Sequence, residues 1–218
     1  MKKSDIPAVM AVLKKEVKKL PLPYVTDVSM RTSDPFKVLI SCILSLRTKD
    51  ATTKETSERL FKKAGTPEEL ASLGVKEIEK AIYPAGFYKV KARTIKNISK
   101  KLIKRYRSKV PDSIEELLKF KGVGRKTANL VLTRGYNLPG ICVDTHVHRI
   151  TNRWGLIKTK SPDETESALR NILPKRYWII INDLLVAYGQ NVCVPVSPRC
   201  SECEIYKYCK RVNVSTSR

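Results

Sequence analysis

The sequence predicts an all-α protein, and three observations carry that reading. Apolar residues recur at three- and four-residue spacing along most of the chain, as on one face of a helix. A capping residue followed by proline opens one segment after another, at Asp34-Pro35, Thr66-Pro67 and Ser161-Pro162. Proline is tolerated in the first turn because its missing N–H would have no partner there. No stretch alternates apolar and polar residues as a half-buried strand would. With 218 residues the chain has material for one large core or two modest ones.

The elements follow in order. Ala8–Leu20 carries Val9, Val12, Leu13, Val17 and Leu20 on one stripe, and Pro21-Leu22-Pro23 ends it. A connector is expected from there to Ser33. Asp34 then caps a helix over Phe36–Leu46, which is apolar nearly all round and so belongs in a core. It ends in a polar cluster, Arg47-Thr48-Lys49-Asp50, read as facing a nucleic acid. Thr48–Lys63 reads as an exposed helix. Thr66 to Glu69 is a capping box that starts a short helix through Leu73. Val75–Ile82 is the next helix, and Pro84–Tyr88 is a turn. Lys89–Arg107 is a long basic helix with Val90, Ile95, Ile98, Leu102 and Ile103 inward. Ser113 to Glu116 reads as another capping box. After a connector at Gly135–Gly140, Asp144 caps a helix that Trp154-Gly155 closes. Ser161 starts another. Pro174–Tyr188 is expected as the last long helix, stopped by Gly189.

The stretch Leu117–Leu132, LLKFKGVGRKTANLVL, is the chemical centre of the chain. An apolar helix end runs into Gly122-Val123-Gly124, and a second helix starts at once. Both glycines are expected to permit positive φ and close approach of another backbone. A turn and a new helix start aim N–H groups one way, which makes an anion site. Arg125 and Lys126 crowd the positive end of that helix, where cations are disfavoured unless an anion is expected. This is a phosphate-binding helix-hairpin-helix element. Lys and Arg total 43 against 21 acidic residues, a net charge of +22. Such an excess calls for a polyanionic partner, nucleic acid first.

No apolar run approaches the ~18–20 residues that would span a bilayer, so no membrane association is expected. The basic start reads as an amphipathic helix, not a signal peptide. An intracellular setting follows, which argues against a disulfide framework for the six cysteines. Four of them, Cys193, Cys200, Cys203 and Cys209, lie within seventeen positions and read as a metal site. Structural zinc favours two close pairs. Only Cys200 and Cys203 are close here, and the wider loops suit a larger cubane cluster. Cys42 and Cys142 read as buried thiols.

The hairpin GVGRKTAN, then VDTH, then this cysteine spacing resemble, in this order, the endonuclease III family of DNA glycosylases with abasic-site lyase activity. The resemblance covers nearly the whole chain, from SDPFKVLI to the last cysteine. It implies an all-α fold of two helical domains, residues 28–138 with the hairpin, and residues 1–27 with 139–218. It also implies a [4Fe–4S] cluster on the four cysteines, and damaged double-stranded DNA as partner. The implied setting is cytoplasmic and nucleoid-associated, or nuclear in a eukaryote, and a monomer is expected.

Lys126 matches the family's nucleophile, whose amine forms an imine with the damaged nucleotide. The helix start, Arg125 and pocket burial are all expected to push its pKa down. Asp144 matches the catalytic carboxylate and is also a helix cap. His146 resembles a phosphate-contacting histidine, while His148 defaults to a helix surface. Arg47 stands where the family commonly has a glutamine that fills the gap left by the flipped base. Phe87 stands where it commonly has a leucine wedge. Both are departures, and both bear on lesion choice. The implied function is a bifunctional glycosylase and lyase of base excision repair acting on oxidised pyrimidines. Other readings fit the residues less well. An adenine glycosylase would carry a glutamate near Cys42. A mismatch thymine or uracil glycosylase tends to lack the hairpin lysine. A non-catalytic hairpin module would not need Lys126 together with Asp144.

Overall fold

The computed structural model describes all 218 residues. It contains twelve α-helices, three short 3-10 turns and no strand. The chain forms two compact units, one of Met1–Pro23 with Pro139–Arg218 and one of Tyr24–Leu138.

The contiguous unit holds α2 (Tyr24–Thr32), α3 (Pro35–Ser45), α4 (Asp50–Lys63), α5 (Pro67–Ser72), α6 (Val75–Ile82), α7 (Tyr88–Tyr106), α8 (Ile114–Leu118) and α9 (Arg125–Gly135). Helix α3 is its axis. Asp34 caps α3 by accepting from Phe36 N at 2.8 Å and Lys37 N at 3.3 Å. Every residue from Val38 to Leu44 is buried, as the all-round apolar pattern requires. Helices α2, α4, α7 and α9 pack on α3, and α5 and α6 pack on α7. Leu60, Leu70, Ile78, Ile95, Leu102, Leu117 and Val131 complete this core.

The discontinuous unit holds α1 (Ile6–Val17), α10 (Thr145–Arg153), α11 (Pro162–Ile172) and α12 (Ile181–Asn191). The stripe Ile6, Val9, Met10, Leu13 and Val17 joins Val147, Ile150, Leu169, Leu185 and Tyr188 in one core.

Several expectations are corrected. The connector before Ser33 is in fact α2, which buries Tyr24, Val25, Thr26 and Val28. Tyr24 N donates to Asp50 at 2.9 Å, so the helix start is capped from α4 and shows no local signal. Helix α4 begins at Asp50, and it is not exposed all round, since Thr53, Thr56, Ser57 and Leu60 are buried. Only half of the Ser113 capping box forms. Ser113 accepts from Glu116 N at 3.3 Å, but the Glu116 carboxylate is drawn away by the Tyr106 hydroxyl at 2.8 Å and by Lys119. On α7, Val90 is 59% exposed and Ile103 39% exposed, while Lys91 is 5% exposed. Helix α9 continues through Gly135. The last long helix is broken: a 3-10 turn at Lys175–Tyr177 precedes α12, and Gly189 lies inside α12. A Cβ at Gly189 would meet His146 Nδ1 at 2.5 Å. This glycine lets α10 approach; it does not stop the helix.

Candidate active site and cysteine box

The hairpin is built as the glycines dictate, though for two different reasons. Val123 N donates to Phe120 O at 3.0 Å, closing the turn after α8. Gly122 has φ +88°, and a Cβ there would stand 2.9 Å from Thr94 Cγ2. Gly124 has φ −96° and ψ 178°, extended backbone open to any residue, with nothing within 4 Å of where a Cβ would sit. Positive φ was expected at both glycines and occurs only at Gly122. Gly124 is the N-cap of α9 and brings no side-chain acceptor, unlike the serine, threonine and aspartate caps elsewhere in the chain.

Arg125 and Lys126 are the first two residues of α9, and both are exposed. The pocket burial expected for Lys126 is therefore absent, and the helix start and Arg125 remain as its neighbours. Cys42 on α3 is 2% exposed, and burial pushes its thiol up to about 12 while the Lys126 charge pulls the other way. Helix α9, which carries Lys126 in its first turn, packs on α3.

On the same unit, Arg47 and Phe87 follow α3 and precede α7. Both take left-handed backbone, φ 50° and 57°. The Arg47 guanidinium lies 5.5 Å from the centre of the Phe87 ring, and the ring is 61% exposed. The exposed cation on an exposed aromatic face is a surface feature of its own.

In the discontinuous unit, Asp144 caps α10. Its Oδ1 accepts from His146 N and Val147 N, both at 2.9 Å, and the residue is 8% exposed. His146 is half-buried, its Nδ1 3.1 Å from Arg149 Nη2. His148 does not default to the surface. It is half-buried, with Nδ1 2.7 Å from Thr165 Oγ1.

The four cysteines line one apolar chamber together with Arg153, Tyr188 and Ile205. None is in a disulfide. Tyr188 OH donates to Cys203 Sγ at 3.3 Å, Arg211 N to Cys209 Sγ at 3.4 Å, and Arg153 Nη1 reaches Cys193 Sγ at 3.5 Å. The donors to Cys193 and Cys203 suit sulfur that carries negative charge, while Cys209 Sγ also donates to Arg153 O at 3.5 Å. Burial raises the Cys203 and Cys209 thiols above their usual range. No three His, Cys, Asp or Glu side chains are grouped as a single metal ion would hold them. Four thiols on the walls of one apolar chamber are a donor set of the kind an iron–sulfur or zinc site needs. The sequence reading missed Arg153, Tyr188 and Arg149. Each acts through tertiary contacts, and only their places on apolar helical stripes hinted at burial.

The family model described as the HhH-GPD superfamily base excision DNA repair protein matches residues 40–175, which include the hairpin and α10. Fold and hairpin together therefore define a helix-hairpin-helix protein of base excision DNA repair. The chain is 47% identical over 180 residues to endonuclease III of Thermotoga maritima, covering 83% of this chain and 84% of that one. It is 41% identical over 195 residues to the chloroplastic endonuclease III homolog 1 of Arabidopsis thaliana, covering 85% of this chain but 52% of that longer one. It superposes on a trapped endonuclease III–DNA covalent intermediate with a TM-score of 0.84, at 32% identity, covering 97% of each chain. The chain belongs to the endonuclease III family. No helix is long and apolar enough to cross a membrane.

Proposed function

We propose that this protein is a bifunctional DNA glycosylase and abasic-site lyase that removes oxidised pyrimidines from double-stranded DNA, with its two compact units as the two domains. The observation that carries the reading is Lys126, a lysine in the first turn of α9 directly after the Gly122–Gly124 turn, in a chain of this family. The neutral Lys126 amine attacks C1′ of the damaged nucleotide. The C1′–N bond breaks, and the base leaves with its electron pair and takes up a proton. The sugar ring opens as the imine between C1′ and Nζ forms. Loss of a C2′ proton then expels the 3′ phosphate, breaking the strand by β-elimination, and water releases the enzyme.

Asp144 supplies the carboxylate. Its N-cap bonds, accepted from His146 N and Val147 N, fix its orientation. A fixed negative charge stabilises the cationic sugar as the base departs. Gly122, Gly124 and Arg125 clamp a phosphate, and His146 contacts another. Arg47 fills the gap left by the flipped base, and Phe87 wedges into the opposite strand. Cys193, Cys200, Cys203 and Cys209 would hold a [4Fe–4S] cluster, whose role is to brace the loop containing Pro198 and Arg199 against the duplex.

Borohydride trapping tests this. A duplex with one oxidised pyrimidine should give a covalent protein–DNA adduct, an undamaged duplex none, and Lys126→Ala none while still binding the lesion. Released base without an adduct would replace this reading with a monofunctional mismatch-type glycosylase. An adduct that persists in Lys126→Ala would mean another nucleophile.

A further inference from the structure

Helix α3 ends against a buried charge. Lys91, on the first turn of α7, is 5% exposed, and its ammonium has three hydrogens and three acceptors. It donates to Leu44 O at 2.7 Å, Leu46 O at 2.6 Å and Thr48 Oγ1 at 2.7 Å. The two carbonyls belong to the last turn and end of α3, the negative end of a helix, where a cation is favoured. Thr48 Oγ1 also accepts from Gly86 N at 3.1 Å. One ammonium and one hydroxyl thus tie together the end of α3, the turn after it and the turn before α7.

What those two turns carry is the point. Arg47 lies between Leu46 and Thr48, and Phe87 follows Gly86. Both have left-handed backbone, uncommon for residues with a Cβ, and both side chains are exposed and stacked at 5.5 Å. The turns touch so closely that a Cβ on Gly86 would stand 2.5 Å from Arg47 O. A well-packed apolar side chain would stabilise this core position at no cost of burying charge. A lysine there holds a shape that packing alone would not.

We propose that Lys91 is a positioning residue for strand opening: it locks the Arg47 turn to the Phe87 turn, so that the two side chains meet the duplex as one preformed pair. This rests on the glycosylase reading above, in which Arg47 and Phe87 enter the base stack. Lys91 touches neither DNA nor the reacting atoms. A preformed pair lowers the ordering cost of flipping, because neither side chain has to be arranged after the duplex arrives.

The test compares two substrates in single-turnover trapping. One is a duplex with an oxidised pyrimidine, which must be opened. The other is a single strand with a preformed abasic site, which needs no opening and no opposite-strand wedge. Lys91→Met should slow adduct formation on the duplex about tenfold or more, the worth of one charge-assisted hydrogen bond, and leave the single strand within about twofold. Thr48→Val, which keeps the shape and removes the shared oxygen, should show the same selective loss, and Thr48→Ser should restore it. Equal rates, or equal losses on both substrates with both variants, would overturn the proposal. If the wild-type protein gave no adduct on either substrate, the glycosylase reading would fail first.

Discussion

Gly124→Ala separates what the hairpin does for the protein from what it does for a ligand. Inside the protein the new methyl meets nothing within 4 Å, and the backbone, φ −96°, suits alanine. Two small terms remain. Alanine is a poorer N-cap than glycine by about 0.5–1 kcal/mol. It also restricts the unfolded chain, which stabilises by about 0.4–1 kcal/mol. They nearly cancel, so the stability should stay within about 0.5 kcal/mol of wild type. DNA affinity should not. A phosphate that accepts from the start of α9 comes to roughly 2.9 Å from the N–H groups, closer than a neighbouring methyl allows. Each charge-assisted bond lost costs about 1.5–3 kcal/mol, so affinity should fall about tenfold or more. Gly122→Ala is the contrast. Left-handed φ costs alanine about 1–2 kcal/mol, and the Thr94 methyl at 2.9 Å adds to it. That variant should be measurably less stable. Urea midpoints, and anisotropy titrations on a duplex with a stable abasic analogue at fixed salt, read both quantities. A Gly124→Ala protein that loses more than about 1.5 kcal/mol, or binds DNA like wild type, would refute the assignment of this glycine to the ligand.

Gly189→Ala should go the other way, losing stability first. Helix propensity gains about 1 kcal/mol, but overpacking against His146 Nδ1 at 2.5 Å and Ile150 Cδ1 at 3.0 Å costs about 1–3 kcal/mol. Thermal melts should show a drop of up to several degrees; a variant more stable than wild type would mean that α10 and α12 are not in tight contact. Lys91 should also contribute a gain in stability between about pH 8 and pH 9. Burial pulls Lys91 down to about 8 from 10.5, so over this window the unfolded chain binds more protons than the folded one, and raising the pH favours folding. The gain is about 1 kcal/mol by the linkage relation. The raised Cys42, Cys203 and Cys209 thiols act with the opposite sign over the same window, because their unfolded forms ionise first. The Lys91 contribution is therefore the difference between two proteins. From pH 8 to pH 9 the stability of wild type, read from urea midpoints, should change about 1 kcal/mol more favourably than that of Lys91→Met, and the same slope in both would sink the assignment.

Signals confined to one turn of chain are legible in the sequence. Asp34, Thr66, Asp144 and Ser161 cap the helices expected of them, since a cap is decided within one turn. The hairpin and its two cations were legible for the same reason. What failed depended on distant parts of the chain. Helix α2 is capped by Asp50, a residue on another helix. Glu116 forsakes its box for Tyr106. Gly189 reads as a stop until α10 is seen beside it. Lys91 was hidden by its charge, although its spacing from Ile95, Ile98 and Leu102 placed it on the buried stripe that was mistakenly given to Val90. The sulfur-facing donors Tyr188 and Arg153 follow the same rule, since no sequence interval links a helix stripe to a loop.

The order in which the two units are spelled along the chain has a bearing on synthesis. Residues Tyr24–Leu138 contain every helix of their unit, so that core can close as soon as its own chain has left the ribosome. The stripe of α1, Ile6, Val9, Met10, Leu13 and Val17, packs with residues made after Pro139. Throughout translation of the intervening unit this helix remains an apolar tether whose partners have not yet been made. Its lysines, Lys14 and Lys15 beside Lys18 and Lys19, keep that waiting segment hydrated.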